Sequence, residues 1–181
     1  HGLLSVVGGY KSLGRLYRGI ICEDLRQYVL LGDPANMTPG GVNPGEKSRL
    51  VFTEDNPSRE LTTAAQLAAS ARAMRDYDKK LAEETLRVAE ELYEITKDKE
   101  GVASQKAHAA VELYLTTEKD CYKEAILASL PVFLSNMMHI GWLLARVVSV
   151  FSEEQKKQIM DAVKDSAKEI NTWLEDKDGV N

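Results

Sequence analysis

The feature that most constrains this chain is a helix that stops and restarts at once. The stretch "AAVELYLTTEKDCYKEAI" (109–126) begins with helical apolar spacing, turns polar at "TTEKD", and resumes as "CYKEAI". A helix that is interrupted with so little linker predicts two helices folded back on each other. We therefore expect one buried inner helix and one outer helix joined by a tight corner.

The same pairing occurs three times after residue 60. The inner helices are apolar or small on nearly every face, whereas the outer helices carry a one-sided apolar stripe. The predicted inner helices are 63–74, 103–116 and 134–151, and the predicted outer helices are 78–97, 119–130 and 152–175. This pattern predicts an all-α fold of inner–outer α/α hairpins in a single helical domain, residues 1–181.

Local signals mark several helix ends. Asp78 and Ser104 are predicted N-caps, and Ser152 with Gln155 forms a capping box. Pro131 is predicted to end the second outer helix. The last outer helix has an apolar row that we expect to face inward, formed by Ile159, Val163, Ala167, Ile170 and Leu174.

The chain before residue 60 is less regular. Residues 3–17 keep helical spacing, and residues 20–31 fit either a helix or a strand, of which we favour the helix. Between them and the first hairpin lies a long segment, 32–60, punctuated by proline and glycine. Because its stretch "RLVF" is apolar, we interpret this segment as a structured functional loop, with a flexible linker as the alternative.

Composition excludes several classes of function. The net charge of −5 over 181 residues gives no reason to expect nucleic-acid binding. Cys22 and Cys121 are expected to be small buried hydrophobic residues, and three histidines without ligand spacing make no metal site. The apolar run 134–151 is short for a membrane span, so we expect no membrane partner. No cofactor is predicted.

Polar and aromatic residues on the inner helices have two interpretations. His108, Glu112, His139 and Arg146 are expected to be satisfied polar groups of the core. His108 and Glu112 are four residues apart on one helix, so they are predicted to bond each other. Trp142 and Trp173 could stack on sugar rings, but each sits at a core register, which favours packing.

The corner motif resembles glycoside hydrolase family 9, the cellulase and endoglucanase family. In that family the corresponding stretch has the pattern AA-x-EL-Y-x-x-TG-D-x-x-Y. Residues 59–93 resemble the hairpin that precedes this stretch in the family. One departure is Glu118-Lys119, where the family usually has glycine. The resemblance implies that the hairpins form part of an (α/α)6 barrel, or toroid, and that the chain is a fragment of such a catalytic domain.

The resemblance also implies an activity, the inverting hydrolysis of β-linked glucan. The family takes its base from a D-A-G-D motif and its acid from a glutamate near the domain's end, and neither motif occurs here. The nearest residue is Asp33, which lacks the paired aspartate. We therefore expect no catalytic residue in this chain and no activity of the chain alone.

Site and partners follow from the same resemblance. The cleft of such a barrel lies at the N-terminal ends of the inner helices, so Asn36, Arg49 and Arg59 are the predicted substrate-binding residues. The partner would be a polysaccharide, and the enzyme would be secreted or periplasmic. Apolar flanks of a partial barrel also predict a homo-oligomer. The alternative is a helical-repeat or structural module that binds protein without catalysis.

Overall fold

The structure is a computed structural model that describes residues 17–20, 51–53 and 56–175. Before residue 57 it contains two short antiparallel strands, β1 (Tyr17–Ile20) and β2 (Val51–Thr53), with a bulge between Tyr17 and Gly19. Strand β2 includes part of the "RLVF" stretch, which was expected to be ordered. Tyr17 is the last residue of one predicted helix and Ile20 the first residue of the other, and both lie in β1. The other residues of those two helices fall outside the described part.

From residue 57 onward the described chain is helical. It contains eight α-helices and one short 3-10 helix, Val148–Val150. The α-helices are α1 (Pro57–Met74), α2 (Lys79–Thr96), α3 (Ala103–Thr117), α4 (Asp120–Ala128), α5 (Leu130–Ser135), α6 (Met137–Ile140), α7 (Trp142–Arg146) and α8 (Glu153–Glu175).

Helices α1 and α3 are the inner helices of the first two hairpins. Helix α1 packs against both α2 and α3, and α3 packs against α4. Their small residues allow this close approach, because Ala64, Ala68, Ala107 and Ala110 have no solvent-exposed surface. The inner–outer alternation predicted for these four helices is confirmed.

Helix α2 is amphipathic, as its sequence indicates. Asp78 caps its start, and the Asp78 Oδ1 atom accepts a hydrogen bond from the backbone N–H of Leu81 at 3.0 Å. Val88 and Leu92 of its apolar stripe are buried, whereas Ile95, which continues the stripe at helical spacing, is exposed. Thr96 is buried in its place, so the buried face is shifted by one residue at the end of the helix.

The predicted corner after α3 is confirmed. Helix α3 ends at Thr117, and Glu118 adopts a left-handed conformation with φ 57°. The backbone N–H of Glu118 donates to the carbonyl of Tyr114 at 2.7 Å, which closes the helix before α4 begins at Asp120. The predicted cap Ser104 was wrong, because α3 begins at Ala103 and Val102 precedes it without a side-chain cap.

The third inner segment differs from its prediction. Instead of one helix over 134–151, the chain forms α5, α6, α7 and the 3-10 helix, separated at Asn136, Gly141 and Val147. At Gly141 the chain passes so close to Met137 that an added Cβ atom would overlap its carbonyl oxygen. A continuous apolar sequence therefore does not guarantee a continuous helix.

Pro131 begins a helix rather than ending one. Helix α4 already ends at Ala128, where the backbone N–H of Ser129 bonds to carbonyls of the last turn. Pro131 then lies in the first turn of α5. Proline is tolerated there because the first turn leaves its backbone N–H groups without intrahelical partners.

Helix α8 begins with the predicted capping box. The backbone N–H of Ser152 donates to Gln155 Oε1 at 3.0 Å, and the backbone N–H of Gln155 donates to Ser152 Oγ at 3.3 Å. The predicted inward row was largely wrong: Ile159 is buried, but Val163 and Ile170 are 44% and 40% exposed. Ala167 is exposed as well, and the Leu174 side chain lies outside the described part.

Two further observations concern individual residues and the membrane. Cys121 is a free, exposed thiol, so its predicted burial was wrong. It lies in the first turn of an outer helix, α4, on the side that faces solvent. Among the residues that the structure describes, no helix combines the length and apolarity that a membrane crossing requires. The other cysteine, Cys22, lies outside the residues that the structure describes.

Candidate functional site

The centre of the candidate site is Glu112, a carboxylate on the inner helix α3. Glu112 is only 4% exposed, and arginines from two other segments bind it. Arg72 Nη2, from the last turn of α1, donates to Oε2 at 2.8 Å. Arg146, at the end of α7, donates to both carboxylate oxygens, with an Nη2–Oε2 distance of 3.3 Å. One buried side chain thus connects three inner segments.

Thr116 extends this network toward the backbone of α1. Its hydroxyl accepts a hydrogen bond from Arg72 Nη1 at 2.8 Å and lies 3.0 Å from the carbonyl oxygen of Ala68. Arg75 Nη2 donates to the Thr116 carbonyl at 2.6 Å. These contacts place the network in the C-terminal halves of α1 and α3.

His108 lies one turn before Glu112 but does not bond it. The His108 Nε2 to Glu112 Oε1 distance is 3.9 Å, beyond hydrogen-bond reach. Burial lowers the pKa of His108, the charge of Glu112 opposes this, and the charge of Arg146 adds to the lowering. His108 is therefore a neutral imidazole at pH 7, and its predicted bond to Glu112 was wrong.

Trp142 is half-exposed beside this network. Its relative exposure is 53%, so the predicted core packing was wrong. The His108 ring meets the indole edge-on, with ring centroids 5.5 Å apart and planes at 80°. The Arg146 guanidinium carbon lies 5.7 Å from the indole centroid, which is within the range of a cation–π contact. The indole is thus held by two polar side chains while half of its surface meets solvent.

The electrostatics of Glu112 decide what it can do chemically. Burial raises its pKa, but hydrogen bonds and charges from Arg146 and Arg72 outweigh burial and leave the pKa below its ordinary value. Glu112 is therefore ionised and has no proton to donate. A general acid in glycoside hydrolysis needs a raised pKa, so Glu112 is unsuited to that role.

A separate cleft of about 460 Å³ lies between the end of α2, the start of α3 and α4, and two tyrosines form part of its wall. Burial raises the pKa of Tyr93 to about 12, and burial beside Glu90 raises the pKa of Tyr122 well above its ordinary value. Both phenols therefore stay protonated. The lysines at the rim are engaged, Lys97 with Glu94 at 2.7 Å and Lys106 with Asp98 at 3.5 Å.

The predicted substrate-binding residues fall in different parts of the chain. Arg59 lies in the first turn of α1 and is exposed, at the N-terminal end of an inner helix. Asn36 and Arg49 lie outside the described residues, so the three-residue site stays a prediction. Within the described ranges, no group of three or more His, Cys, Asp and Glu side chains is placed to hold a metal ion.

The sequence interpretation missed Arg72 and misplaced His139. Arg72 stands in the apolar stretch "TAAQLAASARAM", where a charged side chain needs a counter-ion, and this was the available signal. His139 was expected in the core but is exposed, because α6 is one short turn with no buried residue. Arg146 is satisfied, as expected, although one third of its side chain is exposed.

Comparison with known proteins identifies a family. The family model described as glycosyl hydrolase family 9 matches residues 22–180, which include every helix of the structure. The fold of that family is an (α/α)6 barrel, and the inner–outer hairpins described above are part of such a barrel. No curated protein and no solved structure matches the chain significantly.

Proposed function

The chain belongs to glycosyl hydrolase family 9, and we propose that it is a segment of an inverting enzyme that cleaves β-linked glucan. We propose further that this segment does not hydrolyse glucan alone. The match over residues 22–180 carries the assignment to a hydrolase and favours it over a helical-repeat module. Family members are typically extracellular, which supports a secreted or periplasmic location for the whole enzyme.

The proposed chemistry needs two carboxyl groups with different roles. One activates water on one face of the sugar ring, and the other protonates the leaving oxygen, at a separation of roughly 6.5–9.5 Å. The family's D-A-G-D motif is absent from the sequence, and Asp33 stands alone. The proposed inactivity of the segment rests on this missing pair.

The geometry of Glu112 supports a scaffolding role for the described helices. Its two arginines keep it ionised, and it aligns α1, α3 and α7 instead of facing a second carboxyl group across a substrate. The described helices would then hold the barrel wall while residues at the N-terminal ends of inner helices bind glucan. Arg59 is the described residue at such an end.

The experiment compares two proteins on mixed-linkage β-glucan and carboxymethylcellulose. The chain alone is expected to release no reducing ends above a blank without enzyme. A fusion that adds a family segment with D-A-G-D before the chain and a family segment with the acid glutamate after it is expected to release sugars whose first-formed anomer is α. Proton NMR of fresh products reads that anomer.

Two outcomes would count against the proposal. Activity of the chain alone that disappears in Glu112→Gln, while circular dichroism shows that this variant is folded, would show that the carboxylate takes part in catalysis. A folded, active fusion that yields the β anomer first would show retention and overturn inversion. Glu91→Gln is the matched control, because Glu91 lies in an exposed ion pair with Arg87.

A further inference from the structure

The indole of Trp142 is one of three large apolar side chains that the third inner segment leaves exposed; Met138 is 57% and Val148 is 45% exposed. Neighbouring side chains of the same segment, such as Leu143 and Leu144, are buried, so the segment itself is packed. Several exposed apolar side chains along one packed element can mark a contact surface. The third inner segment is therefore a candidate contact surface, and Trp142 is its exposed aromatic residue.

The indole is fixed before any ligand arrives. His108 and Arg146 contact its ring from α3 and α7, and Glu112 holds Arg146 in place. Arg72 in turn holds Glu112 from α1. A ligand that stacks on such a surface loses little free energy in ordering the protein, which favours weak but specific binding of a small rigid group.

The chemistry around the indole suits a sugar ring. A pyranose has an apolar face of C–H groups and a rim of hydroxyls, which matches an aromatic face bordered by polar side chains. Arg146 provides N–H donors, and the neutral imidazole of His108 provides one donor and one acceptor. About one third of each side chain is exposed, 33% for Arg146 and 31% for His108.

We propose that Trp142, His108 and Arg146 form a sugar-stacking subsite for one pyranose unit of a neutral glucan. The network that holds this subsite lies in the C-terminal halves of α1 and α3. His108 lies one turn closer to the N-terminus of α3 than Glu112, so the stacking surface adjoins the network on that side. The proposal rests on the proposed function for its choice of glucan.

The test uses the intrinsic fluorescence of the chain, which has two tryptophans. In Trp173→Phe the remaining indole is Trp142, and we titrate this variant with cellohexaose. A saturable shift of the emission is expected, with a dissociation constant of about 1 mM, typical of a single weak contact. Isothermal titration is expected to show at least a tenfold loss of affinity in Trp142→Ala.

Matched variants separate stacking from misfolding. Trp142→Tyr keeps an aromatic face and is expected to retain part of the affinity, even if Trp142→Ala folds poorly. Tyr77→Ala removes another exposed aromatic side chain, 91% exposed, and is expected to bind like the unchanged chain. Equal affinity of Trp142→Ala and the unchanged chain would overturn the proposal.

The same experiment tests two competing explanations for the exposed indole, a charged sugar and a second copy of the chain. One outcome is that an oligogalacturonate binds, with an affinity that falls steeply as salt is added, and cellohexaose does not bind. The arginines would then bind the carboxylates of the sugar, and stacking would be refuted. If emission changes with protein concentration alone and light scattering shows a dimer that Trp142→Ala abolishes, the surface joins two copies of the chain. Hydrolysis is not measured in any of these tests, so failure here leaves the proposed function standing.

Discussion

The carboxylate of Glu112 binds the guanidinium of Arg146 across 34 residues of sequence. Arg146 ends α7, the last α-helix of the broken third inner segment. Glu112 lies on α3, whose helix is continuous. This ion pair therefore fixes the end of an irregular segment to a regular one, and Arg72 fixes the same carboxylate to α1.

Replacing Glu112 with glutamine is expected to destabilise the fold strongly. Two partly buried arginines would lose their counter-charge, and breaking a buried pair in this way costs about 3 kcal/mol. Glu91→Gln, in an exposed pair with Arg87, is expected to cost about 0.5 kcal/mol or less. Urea unfolding followed by circular dichroism measures both, and similar midpoints for the two variants would contradict the role of Glu112.

Stability is expected to fall on acidification in two steps. The folded pKa of His108 lies below its ordinary 6.5, and that of Glu112 lies below its ordinary 4.5. The unfolded chain therefore binds more protons in both ranges, so folding weakens as the pH falls, first below about 6.5 and then below about 4.5.

The pH experiment separates the two groups by substitution. His108→Gln is expected to lose the upper step, and Glu112→Gln is expected to lose the lower one. Thermal unfolding at intervals from pH 8 to pH 3 gives the two profiles. A lower step of unchanged size in Glu112→Gln would assign it to other carboxylates.

Glu118→Gly is expected to stabilise the chain. Glu118 has φ 57°, a left-handed conformation that costs a residue with a Cβ atom about 1 kcal/mol and that glycine adopts freely. Glycine also gains freedom in the unfolded chain, so we expect a net gain of about 0.5 kcal/mol. Chemical denaturation measures it. Lys119→Gly, at an extended position with φ −70°, is the control and is expected to destabilise.

Self-association of the chain stays a prediction, and α8 gives it a testable surface. The row Gln155, Ile159, Ala162 and Ser166 is buried or half-buried and marks the face by which α8 packs. Met160, Val163 and Ile170 form an adjacent exposed apolar strip. Light scattering at micromolar concentration is expected to show dimers that disappear when these three become glutamine. A monomeric unchanged chain would refute the prediction.

The first two hairpins could be predicted because their signals are local. Helices α1 and α3 are apolar on nearly every face, and Asp78 caps α2 through a contact three residues away. The corner at Glu118 was marked by the sudden polarity of "TTEKD". Signals of this kind need no knowledge of distant residues.

The third inner segment and the Glu112 network could not be predicted in the same way. The spacing of apolar residues in the sequence is the same for one long helix and for three short ones. Each break between short helices, however, changes which side chains face the core. Trp142 was assigned to the core for this reason. Arg72 and Glu112 are 40 residues apart, so their bond appears only after the helices are packed.

The shared carboxylate also predicts how the molecule opens. Helices α1, α3 and α7 all bind Glu112, so none of them can detach without breaking the same buried contacts. Helix α8 is held along one row of side chains and makes few other contacts. In hydrogen exchange, amides of the three linked helices should therefore exchange as one cooperative unit. Those of α8 should exchange earlier through an opening of their own.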